Sequence, residues 1–318
     1  MVAAAAQPPP AEAPEEPGAR RAPAAFRWLF FPALFGGTIA ASLALLEAGT
    51  DPVLAYLGPL LPAYLLVIVA ERIHPHQRRW LESRGDLPTD AAWALTVFAT
   101  IEAVRPLCRA VAIPVGAFLT ARFGTALWPS GWPLLAQLAL ALVVVEFFQY
   151  WVHRLEHEWD WLWRFHATHH SAPRLYWLNA ARFHPVDMAL NTVGEFLPLM
   201  MLGAGAPVFA LWSLFSGLHG ILQHANVQMQ LGPLNWLFSM AELHRWHHSR
   251  TVVESNTNYG QNLIVWDVVF GTRFLPSDRE PPAEIGMAGL SAFPQTWWAQ
   301  LLSPLRWRRI RAASAAQL

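Results

Sequence analysis

Three short runs of this 318-residue chain hold eight of its thirteen histidines: His153-Arg-Leu-Glu-His157, His166-Ala-Thr-His169-His170 and His244-Arg-Trp-His247-His248. Spacings of three and four place side chains on one face of a helix, with Cβ atoms about 5–6 Å apart. Each run is therefore expected to converge its imidazoles on one point. Imidazole nitrogen binds iron, zinc, copper and nickel. So many rings exceed the needs of one ion, and two metals are expected. His224, at the end of an apolar run, is expected to emerge beside the others as a ninth ligand. His219 lies five residues earlier, about 140° around a helix, so it cannot face the same ion; ligation and a hydrogen bond inside the bundle both stay open. His184 opens a helix in Arg182-Phe-His-Pro185, where ligation and capping are equally open. Glu146 shares a stripe with Tyr150, His153 and His157. An ionisable group at that depth points to function, and it is expected to accept a ring N–H or tune the metal. Asn256, Asn258 and Asp267 are expected to orient ligand rings, with turn capping an equal alternative for the asparagines. Neutral imidazole is the ligand form, so metal affinity is expected to fall as pH drops through about 6.

The elements that must position these rings are apolar. Charged residues make up 14% and hydrophobic residues 54%, with 17 tryptophans, against about 25% charged in soluble chains. An integral membrane protein is expected. Zero net charge gives no bulk attraction to nucleic acid. Cys108, the only cysteine, excludes an intramolecular disulfide and a thiolate cage. No GxGxxG or Walker motif and no fused electron-transfer module is visible, so electrons are expected from another protein.

Residues 1–25, rich in Ala, Pro and Glu, read as a disordered tail. Apolar segments at 28–46 and 53–70 read as membrane spans joined by a turn at 50–53. Arg20, Arg21 and Arg27 precede the pair, and Arg72, Arg78, Arg79 and Arg84 follow it. The positive-inside rule places both flanks in the cytoplasm. Thr89 and Asp90 open a further apolar run, interrupted by Arg105, Pro106 and Arg109, that reads as a kinked membrane segment or an interfacial one. Residues 133–150 form a span that runs into the first histidine cluster. Residues 187–214, with Pro198 and Gly203-Ala-Gly205-Ala-Pro207, read as two helices or a tight hairpin in the membrane. Trp151, Trp159, Trp161, Trp163 and Phe165 are expected at the interface. The expected fold is an all-α integral membrane helical bundle with a cytoplasmic histidine-rich cap. It divides into the 1–25 tail, a membrane domain at 26–275 with its histidine core at about 133–275, and a basic amphipathic tail at 276–318 suited to anionic headgroups.

The Glu-x-x-His pairs of ferritin-like di-iron sites occur only once, at Glu71-Arg-Ile-His74, and His-Glu-x-x-His is absent. A nitrogen-rich site suits zinc as well as iron, but zinc has no redox chemistry. Two iron ions with dioxygen as co-substrate would use such a surplus of ligands. A non-catalytic metal-binding or transport protein is one alternative, although transport ligands belong near the midplane. A membrane zinc hydrolase, with Glu156 or Glu242 activating water, is another.

The run from Glu146 through His153-Arg-Leu-Glu-His157 to Phe165-His-Ala-Thr-His-His-Ser171 resembles the fatty acid hydroxylase/sterol desaturase superfamily. So do Arg182-Phe-His-Pro-Val-Asp187, Gln223-His-Ala-Asn226, His244-Arg-Trp-His-His-Ser249, Asn258-Tyr-Gly260 and Trp266-Asp-Val-Val-Phe-Gly-Thr272. The resemblance spans roughly residues 70–275. The acidic residue before the first box, often Asp in that family, is Glu146 here. The resemblance implies a non-haem di-iron centre and oxygen-dependent hydroxylation or desaturation of a membrane lipid, sterol-like or fatty acyl. It also implies an external electron donor of ferredoxin or cytochrome b5 type. The inner (cytoplasmic) membrane of a bacterium is the expected location, with the histidine boxes on the cytoplasmic side.

Overall fold

A computed structural model describes residues 21–124, 127–281 and 284–317; most of the 1–25 tail lies outside the described residues. The described chain is helical, and its only β-pairing is isolated bridges. Helices α1 (Ala24–Glu47) and α2 (Pro52–Ile73) form a hairpin. The turn is set by Asp51, whose carboxylate accepts from Val53 N at 2.9 Å and Leu54 N at 3.3 Å, with Pro52 supplying the fixed φ of a first helical residue.

Helix α3 (Leu87–Phe123) runs through Arg105, Pro106 and Arg109 without ending. Proline removes one helical hydrogen bond, but packing along α6 (Pro185–Leu202) holds the helix across the gap. Arg105 pairs with Glu102 at 2.5 Å and lies 5.5 Å over the Phe196 ring. At 37 residues α3 is about 55 Å long against a hydrocarbon layer of about 30 Å. It is therefore longer than a straight crossing needs.

Helix α4 (Leu134–Glu158) is followed at once by α5 (Asp160–His170). Helices α1 to α4 are each long and apolar enough to cross a membrane. Leu65, Leu95, Phe98, Leu107, Ile113 and Phe118 stand exposed on them, as a lipid-facing surface requires. The segment read as two helices or a hairpin is α6 and α7 (Ala206–His224), joined through Gly203 in a left-handed conformation at φ 88°. α6 packs on α3 and α4, and α7 on α1, α2 and α4. Short helices complete the chain: α8 (Ala241–His247), α9 (Val252–Ser255), α10 (Val265–Phe270), α11 (Trp297–Leu301) and α12 (Trp307–Ala315).

The apolar edge of the basic C-terminal segment packs on protein. Trp307 and Ile310 of α12 are buried with Leu290 and Phe293 against Ala167 of α5. Arg311 Nη1 meets Asp160 Oδ1 at 3.0 Å. The apolar edge that the sequence offered to lipid is occupied by protein, leaving Arg308 and Arg309 exposed.

Two buried ion pairs tie the start of α3 to the segment before α6. Arg174 Nε meets Asp86 at 2.6 Å, and Arg182 pairs with Asp90, which also accepts from Tyr176 OH at 2.7 Å. Removing one partner of a buried pair strands the other charge. Arg182→Ala is therefore expected to destabilise the fold by about 3–5 kcal/mol. Thermal unfolding in detergent checks this, and a melting point at the wild-type value would contradict it.

Candidate metal centre

The bundle brings nine histidines into two adjoining sets. His153, His157, His166, His170 and His247 form the first, and His169, His224, His244 and His248 the second. In each set one nitrogen per ring lies within 4.8 Å of the others. The sets are not the sequence runs, which corrects the expectation that each run converges on one point. Residues four apart differ by about 40° around a helix and stay together, whereas the i+3 ring is swung about 60° the other way. On α5, His166 and His170 go to the first set and His169 to the second. On α8, with His248 just past its end, His244 and His248 go to the second set and His247 to the first. The two short helices thus each straddle both sets.

The hydrogen bonds of the rings fix which nitrogen faces inwards. His153 Nδ1 donates to the Tyr259 carbonyl at 2.7 Å and His247 Nδ1 to the Thr257 carbonyl at 2.8 Å. His166 Nδ1 donates to Asp187 Oδ2 at 3.0 Å and His157 Nδ1 to Asn256 Oδ1 at 3.2 Å. A carbonyl or carboxylate oxygen can only accept, so each Nδ1 carries the hydrogen and each Nε2 keeps its lone pair. The buried Nε2 atoms of His153, His157, His166, His170 and His247 have no hydrogen-bond partner. In the second set, His224 Nδ1 donates to Asn179 Oδ1 at 2.9 Å. Nε2 of His244 lies 2.9 Å from that of His224 and 3.0 Å from that of His248, which is 3.1 Å from that of His169. Nitrogens about 2.0–2.1 Å from one ion and at right angles stand about 3 Å apart. Orphaned, convergent nitrogen donors fit metal ions.

Burial, reinforced by neighbouring imidazoles, holds His166, His169, His170, His244, His247 and His248 well below the usual histidine pKa. The rings are therefore neutral at pH 7, and proton competition with a metal begins at lower pH than the value near 6 expected from free imidazole. The sign for stability follows. Below about 6.5 the unfolded chain takes up protons that the folded chain refuses, so stability is present above that pH and is lost as pH falls towards the folded values. Metal-free protein is expected to melt at steadily lower temperature from pH 7 to pH 5. A flat profile would contradict this.

Three residues expected to touch the rings act one step away. Glu146 lies on the expected stripe of α4 but two turns before His153. Its Oε1 accepts from Asn262 N at 2.8 Å and its Oε2 from Gln261 N at 3.1 Å, not from an imidazole. Asp267 accepts from Tyr259 N at 2.8 Å and Gly260 N at 2.7 Å, steadying the peptide whose carbonyl receives His153. A Cβ at Gly260 would collide with the Leu263 carbonyl, so the loop closes this tightly only around glycine. Asn258, at φ 54°, donates to Leu243 O at 3.0 Å and Phe274 O at 2.7 Å, binding the loop to α8.

His184 and His219 join neither set. His184 caps α6: its Nδ1 accepts from Val186 N at 3.2 Å and its Nε2 donates to Leu301 O at 3.2 Å. His219 is buried among Phe35, Phe215 and Phe238. Trp163, expected at the interface, instead packs against the His157 and His170 rings, whereas Trp159 and Trp161 are exposed. Glu242, a nominated hydrolytic base, accepts from Leu231 N at 2.7 Å and Asn235 Nδ2 at 2.8 Å, away from the rings. Glu156 does adjoin them, beside His166 and Asp187. Sequence reasoning missed Asp187 and Asn179 as ring partners. Asp187 sits in the quoted 182–187 motif, but nothing in the local sequence of Asn179 points to His224.

A cavity of about 100 Å³ adjoins both sets, touching His153, His166, His169, His224 and His244. Phe183, stacked on His169 at 4.3 Å, forms part of its apolar lining.

A cavity beside two convergent histidine sets in a membrane bundle marks a membrane protein with a candidate metal centre, and sequence comparison gives the family. Residues 138–272, which hold all nine histidines, match the fatty acid hydroxylase family model. The ornithine lipid hydroxylase OlsE of Rhizobium tropici is 37% identical over 241 residues, covering 75% of this chain and 72% of that protein. Human alkylglycerol monooxygenase is 34% identical over 145 residues, 46% of this chain and 31% of the relative. Methylsterol monooxygenase 2-2 of Arabidopsis thaliana is 24% identical over 147 residues, 45% and 54% respectively. No solved structure matches. The chain belongs to the fatty acid hydroxylase family.

Proposed function

We propose that this protein is a di-iron oxidoreductase that hydroxylates or desaturates a membrane lipid, with hydroxylation favoured by the activities named for its relatives. The observation that carries the reading is the set of buried Nε2 lone pairs, which on His153, His157, His166 and His247 are turned inwards by an Nδ1–H held elsewhere. His153, His157, His166, His170 and His247 would hold one iron, and His169, His224, His244 and His248 the other. His184 and His219 remain outside. A bound pair of irons supplies the reduction of dioxygen and the oxidation of a C–H bond.

The protein's own groups do the rest. Tyr259, Thr257, Asn256, Asp187 and Asn179 hold five of the nine rings in one tautomer, so those donors are set before an ion arrives. The cavity receives the reacting part of the lipid and keeps water away. For hydroxylation the balance is R–H + O2 + 2e⁻ + 2H⁺ → R–OH + H2O, and an external carrier of ferredoxin or cytochrome b5 type supplies the two electrons. Arg72, Arg78, Arg79 and Arg84 beside the end of α2 support a cytoplasmic face for this region in the inner membrane of a bacterium.

The test is to load the purified protein with Fe2+ without oxygen, then admit isotopically labelled dioxygen, reductant and total lipid. A lipid one labelled oxygen atom heavier is expected from hydroxylation, or one two hydrogens lighter from desaturation. Lipid cleavage by the zinc-loaded protein without oxygen uptake would instead establish the hydrolase.

A further inference from the structure

A second cavity, of about 210 Å³, is lined by Arg79, Arg84, Pro173, Arg250, Glu284 and Ile285. Its basic groups outnumber their partners. Arg250 Nη1 lies 3.7 Å from Glu284 Oε2, and both side chains are exposed. Arg79 and Arg84 form no ion pair among the described residues. Arg79 Nε and Nη2 have no hydrogen-bond partner. Three arginines thus share one carboxylate, and an uncompensated cluster of this sign attracts an anionic partner.

The position of the cavity indicates which partner. Two of its lining residues continue the histidine helices: Pro173 lies three residues after His170, and Arg250 two after His248. The loop at 284–286 closes on both. Ser249 and Ile285 form an antiparallel bridge, and Gly286 N donates to His248 O at 3.1 Å. A Cβ built at Gly286 would stand 3.9 Å from His170 O. The rings of His170 and His248 stack at 4.4 Å, one from each set. The loop that walls the cavity therefore also touches the main chain of one candidate ligand in each set.

We propose that this arginine-lined cavity docks an acidic one-electron carrier protein, which passes electrons through the 284–286 loop and His248 to the metal centre. The inference rests on the oxidoreductase reading and gives it an entry point. Two reduced carriers dock in turn, each losing one electron, and together they supply the two electrons of the balance above. Electron transfer falls steeply with distance, so a carrier has to seat where a ligand's main chain lies close beneath the surface. Carboxylates on the carrier would complete the ion pairs that Arg79 and Arg84 lack. Such encounters bury little area and rely on complementary charge. None of the six lining residues is an exposed large apolar side chain like those on α1 to α4, which favours a polar protein face over a membrane as the occupant.

The test reads binding first and electron transfer second. Iron-loaded full-length protein in nanodiscs of neutral lipid is titrated with two acidic carriers, a [2Fe–2S] ferredoxin and the soluble haem domain of cytochrome b5. Wild-type affinity for at least one is expected to fall by about tenfold or more between about 10 and about 100 mM salt, as the Debye length shrinks from about 30 to about 10 Å. At the lower salt, Arg84→Glu and Arg250→Glu are each expected to weaken binding by about tenfold or more and to slow oxidation of the reduced carrier alongside. Glu284→Gln, which removes the one opposing carboxylate, is expected to strengthen binding. Arg122→Glu, an exposed charge at the other end of α3, is expected to bind as wild type. Failure of both carriers to bind wild-type protein overturns the proposal, and so does an equal loss in Arg122→Glu. Reversals that leave carrier affinity unchanged but weaken adhesion to anionic-lipid vesicles also overturn it, and would make the cavity a membrane contact. Should Arg250→Glu fail to fold, Arg84→Glu decides, because Arg84 has no internal ion pair to lose. Protein reduced by dithionite, which needs no docking, is expected to oxidise lipid equally in wild type and Arg84→Glu once oxygen is admitted. Absence of oxidised lipid in both would count against the oxidoreductase reading and leaves the binding comparison standing.

Discussion

His248→Ala is expected to bind one iron instead of two and to lose at least about 100-fold in lipid oxidation. His248 is the junction of the second set: its Nε2 lies 3.0 Å from that of His244 and 3.1 Å from that of His169. Its ring also stacks on His170 of the first set at 4.4 Å. Alanine removes one of four donors and leaves a buried void beside the other centre. Residues that only orient a ligand change affinity or activity by about 10–100-fold, so a direct donor should cost at least the upper figure. Elemental analysis per protein chain, with product formation, measures both effects. His219→Ala is the control, because His219 is equally buried but outside both sets; its iron content is expected to stay at two. Full iron and activity in His248→Ala would mean that the second set is not a metal site.

Asp187→Ala is expected to weaken iron binding by about 10–100-fold, with activity falling alongside. Asp187 Oδ2 accepts from His166 Nδ1 at 3.0 Å, while its Oδ1 is held by Asn191 Nδ2 at 2.7 Å. Without the carboxylate the nearest remaining acceptor is Glu156 Oε2, 3.5 Å from Nδ1, and the ring is held less firmly in one tautomer. Asp187→Asn keeps an oxygen that can accept the same N–H and should lose less. Competition with a chelator of known affinity separates the three proteins. Wild-type affinity in Asp187→Ala would show that packing alone holds the ring.

The helical repeat made the donors legible, because spacings of three and four are local. It separates the i+3 ring from the i, i+4 pair within each short helix, but it does not say which distant rings each joins. That His169 meets His224 depends on how α5 meets α7 across the bundle, and no local spacing encodes that contact. The same limit applies to the ring partners. Tyr259 and Thr257 act through backbone carbonyls, which any residue type can supply. Glu146 was readable as a buried functional carboxylate, but its partner is the loop at 261–262, and only the packing of that loop under α4 shows it. The arginines and proline of α3 suggested an interruption by local propensity. A long tertiary contact with α6 overrides it. The partner of the tail's apolar edge was not legible for a related reason: an amphipathic helix looks alike whether that edge meets lipid or protein.

That tail has a consequence for how the enzyme matures. An eleven-residue helix such as α5 is marginal on its own in water. Trp307 and Ile310, which close over its Ala167, are synthesised long after it. The seat that fixes three of the nine rings is thus completed late in biosynthesis, and stable ion uptake belongs to the finished polypeptide, not the nascent one.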